Sequence, residues 1–258
     1  MQQQVSNVKG WQHGYQKFSL KQRIVDLGIE KDFADLKREF QNLPPDDYDG
    51  LARRFRSYLR GAFFPWKCQI EWFPDEETDD GTKARYFQGN HNPEHVNAWR
   101  VFSAVSQQVK SNRALTEIVN NAAMRANFTG ENYVRPIGIG VHFVKQLVDT
   151  ANPIATVSPN VMHQDGELFD YVYLIERSNV VGGVNYIASV DAKGADPEQV
   201  PVEKVIRKFT LEHELDGFGV LDKSVCHGVT PIQLKKEENE GHRLTMLVDL
   251  TPMYEKLW

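Results

Sequence analysis

Among the residues able to do chemistry, His163-Gln164-Asp165 stands out, because side chains two apart on an extended segment point to the same side. A histidine and a carboxylate so placed can share one metal ion. The pair alone decides little: 8 histidines and 35 acidic residues make about one His-x-Asp/Glu expected by chance, and a surface loop is the plain alternative. The residues downstream of it carry more weight. Roughly sixty residues later comes Ser224-Val225-Cys226-His227-Gly228-Val229-Thr230-Pro231, where His227 opens an apolar strand and could supply a third ligand from an opposing sheet. Further on, Arg243 heads Leu244-Thr245-Met246-Leu247-Val248-Asp249-Leu250. A basic residue beginning a core-facing strand needs a buried anion, or it must reach solvent.

Two histidines and one carboxylate on one face of a metal leave three adjacent positions open. Iron(II) needs that opening to take up a bidentate 2-oxo acid and then dioxygen. Arg243 is suited to pair bidentately with the distal carboxylate of 2-oxoglutarate. A zinc hydrolase could use the same three ligands, but no hydrolytic base motif accompanies them, and Arg243 would be left without a partner.

A second basic group lies nearer the N-terminus. In Arg53 to Arg60, alternation puts Arg54, Arg56, Tyr58 and Arg60 on one face, with Phe55, Ser57 and Leu59 on the other. These could be a charged strand edge. Four polar groups on one face also suit a small molecule bearing a carboxylate, with Tyr86 and Gln88 as weaker candidates for the same pocket. His142, on an apolar strand, is either a contact to 2-oxoglutarate or substrate, or a satisfied core histidine. Cys226 adjoins the distal ligand as a fourth ligand, a redox switch or buried packing; packing is favoured, because neighbours on a strand face opposite ways. His13, His91, His95, His213 and His242 read as structural, and Asp75-Glu76-Glu77-Thr78-Asp79-Asp80 as a solvated loop.

The elements that must position these groups can be read from periodicity. Ser19 to Phe40 predicts two short amphipathic helices interrupted near Gly28 and stopped at Pro44-Pro45-Asp46-Asp47. Arg53 to Phe64, Trp66 to Phe73 and Thr82 to Gln88 read as strands, and Pro93 to Phe128 as helical on both sides of Ser111-Asn112. After Gly130, short strands are expected near Ile137 to Val148, Tyr171 to Arg177, Val184 to Val190, Val205 to Leu211, Gly217 to Leu221, Val229 to Leu234 and Leu244 to Leu250. That spacing predicts a sandwich or barrel. The simplest division is one mainly β domain over 1–258, with a helical elaboration at 1–50, covering helices and a β core at about 130–252.

The formal charge of -5 offers no global electrostatic attraction to nucleic acid or an anionic membrane. Two cysteines are too few for a disulfide framework or an iron–sulfur cluster. Met1 to Asn7 lacks the apolar core of a signal peptide. The expectation is a cytoplasmic protein with a small-molecule substrate and no nucleic-acid or membrane partner; self-association is left open.

Taken in order, His163-Gln164-Asp165, Gly182-Gly183-Val184-Asn185, His227-Gly228-Val229-Thr230-Pro231 and Arg243 resemble the 2-oxoglutarate/iron(II)-dependent dioxygenases, particularly the branch containing bacterial L-isoleucine 4-hydroxylase. Arg54-Phe55-Arg56-Ser57-Tyr58-Leu59-Arg60 and Gly140-Val141-His142 resemble further elements of that branch, so the likeness runs from about Arg53 to Leu250. The resemblance implies a double-stranded β-helix (a cupin-like jelly roll) and hydroxylation of an unactivated carbon of a free L-amino acid or derivative, with Fe(II), 2-oxoglutarate and O2. It implies His163, Asp165 and His227 as metal ligands, Arg243, Thr245 and His142 toward 2-oxoglutarate, and Arg54, Arg56, Arg60, Tyr58, Tyr86 and Gln88 toward substrate. Related halogenases lack the carboxylate ligand, so Asp165 argues against halogenation. Desaturation, cyclisation and a non-catalytic metal-binding jelly roll stay as alternatives.

Overall fold

Alternation along the strand Glu240–Pro252 builds a core on one side and a cavity on the other. Leu244, Met246, Val248 and Leu250 are buried in the main apolar cluster, whereas Arg243, Thr245, Leu247 and Asp249 line a cavity. Its neighbour Ile137–Asp149 repeats the division, with Ile139, Val141 and Phe143 in the core and His142, Val144 and Gln146 on the cavity. Each large apolar side chain so buried contributes roughly 1.5–3 kcal/mol, and a one-residue slip would exchange the two faces. The core therefore fixes the orientation of the polar row.

The structure, a computed structural model, describes residue 11 and residues 13–49, 53–89, 91, 96–157 and 159–254. The large sheet runs in the order Tyr15–Ser19, Asp216–Leu221, Phe169–Ser178, Glu240–Pro252, Ile137–Asp149, Arg54–Phe64, Ala98–Ala104, Gly81–Gln88 and Glu76–Thr78, with Gln69–Trp72 also pairing with Arg54–Phe64. All its pairings are antiparallel except that of Arg54–Phe64 with Ala98–Ala104. Two three-stranded sheets complete the double-stranded β-helix: Val180–Gly182, Ile232–Leu234 and Ile154–Ala155, and Val205–Thr210, Val184–Ala188 and Cys226–Val229.

Helices cover the outer face of the large sheet, as the apolar stripes require. Ile24, Phe33 and Leu36 from Lys21–Asp26 and Glu30–Glu39 join Leu115, Ile118, Val119 and Ala122 from Arg113–Ala126 in one cluster with Phe143, Tyr173 and Met246. Gly28, at φ +60, makes the break between the first two helices. Asn112 starts the long helix by accepting a hydrogen bond from Leu115 N at 3.0 Å, and Asn127 ends it in the left-handed region.

The elements that differ from expectation include Glu76–Thr78, a strand paired with Gly81–Gln88 inside the run read as a solvated loop. Residues 98–104 form a strand, although the stretch reads as helical; Arg100 and Phe102 turn inward while Trp99 is exposed, and Trp, Val and Phe suit a pleated surface. Pro93, the start of that expected helix, and residues 1–10 lie outside the described residues. The N-terminal segment also contains a strand, Tyr15–Ser19, paired with Asp216–Leu221. Among the described residues no helix is long and apolar enough to cross a membrane.

Candidate metal and co-substrate site

His163 and His227 are brought together by their own backbones. His163 N donates to His227 O at 2.8 Å and His227 N to His163 O at 2.9 Å, a single antiparallel bridge that sets the rings edge to face at 4.4 Å between centroids. His163 therefore sits on an isolated bridge rather than a strand, and Asp165 comes after it in a loop. Asp165 Oδ1 lies 3.6 Å from His163 Nε2, and Oδ2 lies 3.2 Å from His227 Nε2. One ligand atom from each of the three residues falls within 4.8 Å of the others.

The donor set fits iron(II): two imidazoles and one carboxylate, with a cavity on the open side. The Nδ1 of His163 lies 2.8 Å from Val161 O, so a proton on Nδ1 bonds the carbonyl and leaves Nε2 free to ligate. Burial opposes charge on His227, but the hydrogen bond and charge of Asp165, with Asp222 behind it, raise its pKa above the ordinary value. Glu167 is pushed up to about 8 by burial and then by Asp165 and Asp222. A divalent cation among these ligands supplies the positive charge this acidic surrounding lacks.

Asp222 is the residue that sequence reasoning missed here. It is buried, its two carboxylate oxygens accept from Asp165 N at 3.1 Å and Gly166 N at 2.9 Å, and its carbonyl accepts from Gln164 Nε2 at 2.5 Å. It fixes the loop that aims Asp165. Asp222→Asn leaves one loop N–H without an acceptor, so metal affinity is expected to fall by about 10- to 100-fold, as for other partners of metal ligands. Manganese titration against the wild type checks this; unchanged affinity would remove Asp222 from the site.

Arg243 lies four residues into its strand rather than at the head, because Gly241 and His242 already pair with Val148 and Leu147. It is 4% exposed, and Nη1 donates to Gln146 Oε1 at 3.2 Å, its neighbour directly across the sheet. No carboxylate among the described residues pairs with it, and burial, then Arg177, pulls its pKa down to about 10. The guanidinium stays charged at neutral pH. Gly183, at φ +65, walls this end: a Cβ there would approach Arg243 Cδ at 3.5 Å. Thr245, two residues on, is buried on the same face.

One cavity of about 950 Å³, counting its open mouth, joins His163, Asp165 and His227 to Arg243, Thr245, His142, Arg54, Arg56, Tyr86 and Gln88. Arg60 and Tyr58 line an adjoining cavity instead, with Glu167 and Tyr86. At about 3.3 Å per residue, Arg60 sits about 13 Å along the strand from Arg56, and its guanidinium lies over Phe73. Tyr58 is buried and stacks on His142 at 4.4 Å. Arg54 already has a carboxylate, Asp46, at 2.6 Å from Nε. His142 accepts at Nδ1 from Arg56 Nη2 at 2.7 Å and donates from Nε2 to Asp249 Oδ2 at 2.9 Å, a neutral ring whose pKa burial, and then Arg56 and Arg100, depress. Cys226 is buried with its thiol toward Ser189 O, away from the ligands. His95 lies outside the described residues.

A model of the 2OG-Fe dioxygenase family matches residues 37–249. A search of curated proteins returns no match. Among solved structures, IDO from Bacillus thuringiensis is 20% identical, with 94% of this chain and 92% of that chain covered and a TM-score of 0.70. A bsmA homolog from Methylobium petroleophilum PM1 is 19% identical over 93% and 89%, with a TM-score of 0.74. The Fe(II)/(alpha)ketoglutarate-dependent dioxygenase TqaL is 15% identical over 96% and 86%, with a TM-score of 0.69. These likenesses show a shared fold.

Proposed function

The chain belongs to the 2OG-Fe dioxygenase family, whose members use Fe(II), 2-oxoglutarate and O2, and from that premise we propose that it hydroxylates an unactivated carbon of a small substrate, a free L-amino acid or a derivative of one. The observation that carries this reading is the buried guanidinium of Arg243, without a carboxylate partner among the described residues, in the cavity of the three-residue cluster. His163, Asp165 and His227 would hold the iron; Arg243, with Thr245 beside it, would hold the distal carboxylate of 2-oxoglutarate. Bound there, iron and 2-oxoglutarate supply an oxidation in which the co-substrate becomes succinate and CO2 and one oxygen atom enters a substrate C–H bond.

This chain's own residues do the positioning. Asp222 holds the loop of Asp165, Gln146 steadies Arg243, and Val172, Phe218 and Leu247 give the cavity an apolar wall for the carbon skeleton of the substrate. His142 stays neutral and keeps Arg56 aimed into the cavity. The size of the cavity supports a small molecule, and its arginine-lined wall supports one with an acid group. The sequence motifs support a place near the bacterial L-isoleucine 4-hydroxylases. A cytoplasmic setting accords with the two free cysteines, and neither a nucleic acid nor a membrane is part of this reading.

A succinate-release assay over the twenty L-amino acids and their N-substituted derivatives, with mass spectrometry of the products, tests it. The expected result is succinate formed in step with a product 16 mass units heavier than one of them. A product 2 units lighter would instead mean desaturation or ring closure, and no succinate with any of them would contradict the substrate class.

A further inference from the structure

Among the described residues no carboxylate lies within ion-pair distance of Arg100. This arginine lies in the strand Ala98–Ala104, is 4% exposed, and stacks its guanidinium over the rings of Tyr48 and Phe102 at 4.5 and 4.9 Å. Its Nε and Nη2 are buried without a hydrogen-bond partner. Arg56, from the parallel neighbouring strand, lies 4.5 Å over the same Phe102 ring, and its Nε is likewise buried and unpartnered. Of the carboxylates that face this group, Asp249 accepts from His142 Nε2 at 2.9 Å, and Asp46 is 2.6 Å from Arg54 Nε but 3.9 Å from Arg56 Nη1. Asp46 is thus committed to Arg54.

Two guanidiniums therefore reach the cavity with half-used donors. Burial pulls both pKa values down, that of Arg100 to about 10, which leaves Arg100 charged at neutral pH. Unpaired buried charge is costly unless a partner arrives. The flat aromatic faces of Tyr48 and Phe102 hold the two planes, so little side-chain freedom remains to be lost when an anion binds. Arg243 serves the co-substrate at another part of the same cavity, so the second anion belongs to the substrate.

We propose that Arg100 and Arg56 together bind the carboxylate of the substrate, with His142 orienting Arg56 and the Arg54–Asp46 pair framing the subsite. This deepens the amino-acid reading above and rests on it. Arg100 then determines specificity: an amino acid with a free acid is accepted, and its amide, which puts an N–H donor against guanidinium donors, is rejected.

Calorimetry on protein loaded with manganese, redox-inert here, and saturated with 2-oxoglutarate reads binding without turnover. The probes are the twenty L-amino acids, their N-substituted derivatives and the primary amide of each one that binds. The proposal expects each amide to bind at least about tenfold more weakly than its acid. Arg100→Met should weaken the acid by a similar factor while leaving the amide nearly unchanged, and Arg100→Lys should recover part of the loss. Arg56→Lys is the second variant if Arg100→Met does not fold, and should narrow the acid–amide gap in the same way. Amides that bind as tightly as acids, or variants that weaken both alike, would overturn the carboxylate subsite while the amino-acid reading stands. If 2-oxoglutarate binds but none of the amino acids or their N-substituted derivatives does, that reading fails and takes the subsite with it.

Discussion

Replacing His163, Asp165 or His227 with alanine is expected to bring iron-dependent succinate formation below detection in each of the three variants, with the circular dichroism of the fold retained. The reason is the economy of the cluster. Three donor atoms converge within 4.8 Å, and a centre that must keep positions open for co-substrate and oxygen has no spare protein ligand to lose. The surroundings sharpen the effect for the carboxylate: Asp165 faces both imidazoles at 3.2 and 3.6 Å, so its loss removes a ligand and the charge that balances the metal. The fold should survive because His163 lies on an isolated bridge, Asp165 in a loop and His227 on a short strand of a small sheet, all outside the main apolar cluster. Assays with a range of added iron separate lost affinity from lost chemistry. Near-wild-type turnover in any one variant at limiting iron would remove that residue from the ligand set.

Arg243→Met should weaken 2-oxoglutarate by about thirty-fold or more. Losing a charge-assisted, bidentate partner in a buried site costs about 2 to 5 kcal/mol, and 2 kcal/mol is already a factor of about thirty. The same substitution removes a buried cation that has Gln146 for a partner and no carboxylate among the described residues. The ligand-free protein should therefore be no less stable, and its melting temperature equal or higher. A structural arginine gives the opposite pattern: stability falls and affinity holds. The pair of readouts distinguishes the two roles.

The chemistry was most legible where it is local or periodic. His-x-Asp, the distal histidine before an apolar strand, and a basic residue in an alternating apolar strand are patterns of one or two elements, and the structure draws those three ligand candidates into one cluster beside Arg243. The strands Ile137–Asp149, Phe169–Ser178 and Glu240–Pro252 were legible because one face of each packs in the cluster that the helices join. The groups that escaped were set by distant partners. Asp46 reads as a helix stop beside two prolines, yet it is buried and paired with Arg54 across a turn. Asp222 looks like an ordinary acid after a strand, and its role lies in two backbone N–H groups some 57 residues away. Arg100 was hidden by an apparent helical stripe: Val96, Trp99 and Phe102 fall three apart, while the alternation that makes 98–104 a strand shows only once Arg100 is counted as an inward residue. Arg60 keeps the right face of its strand but lies too far along it to share the main cavity.

Calorimetric titration of 2-oxoglutarate into the metal-free and the manganese-loaded wild-type protein bears most directly on the central claim, that the three-ligand cluster and Arg243 form one site. The account predicts one molecule bound per chain, much tighter with metal than without, because the co-substrate would be held at both ends. Affinity indifferent to the metal, or no binding in either state, would contradict it.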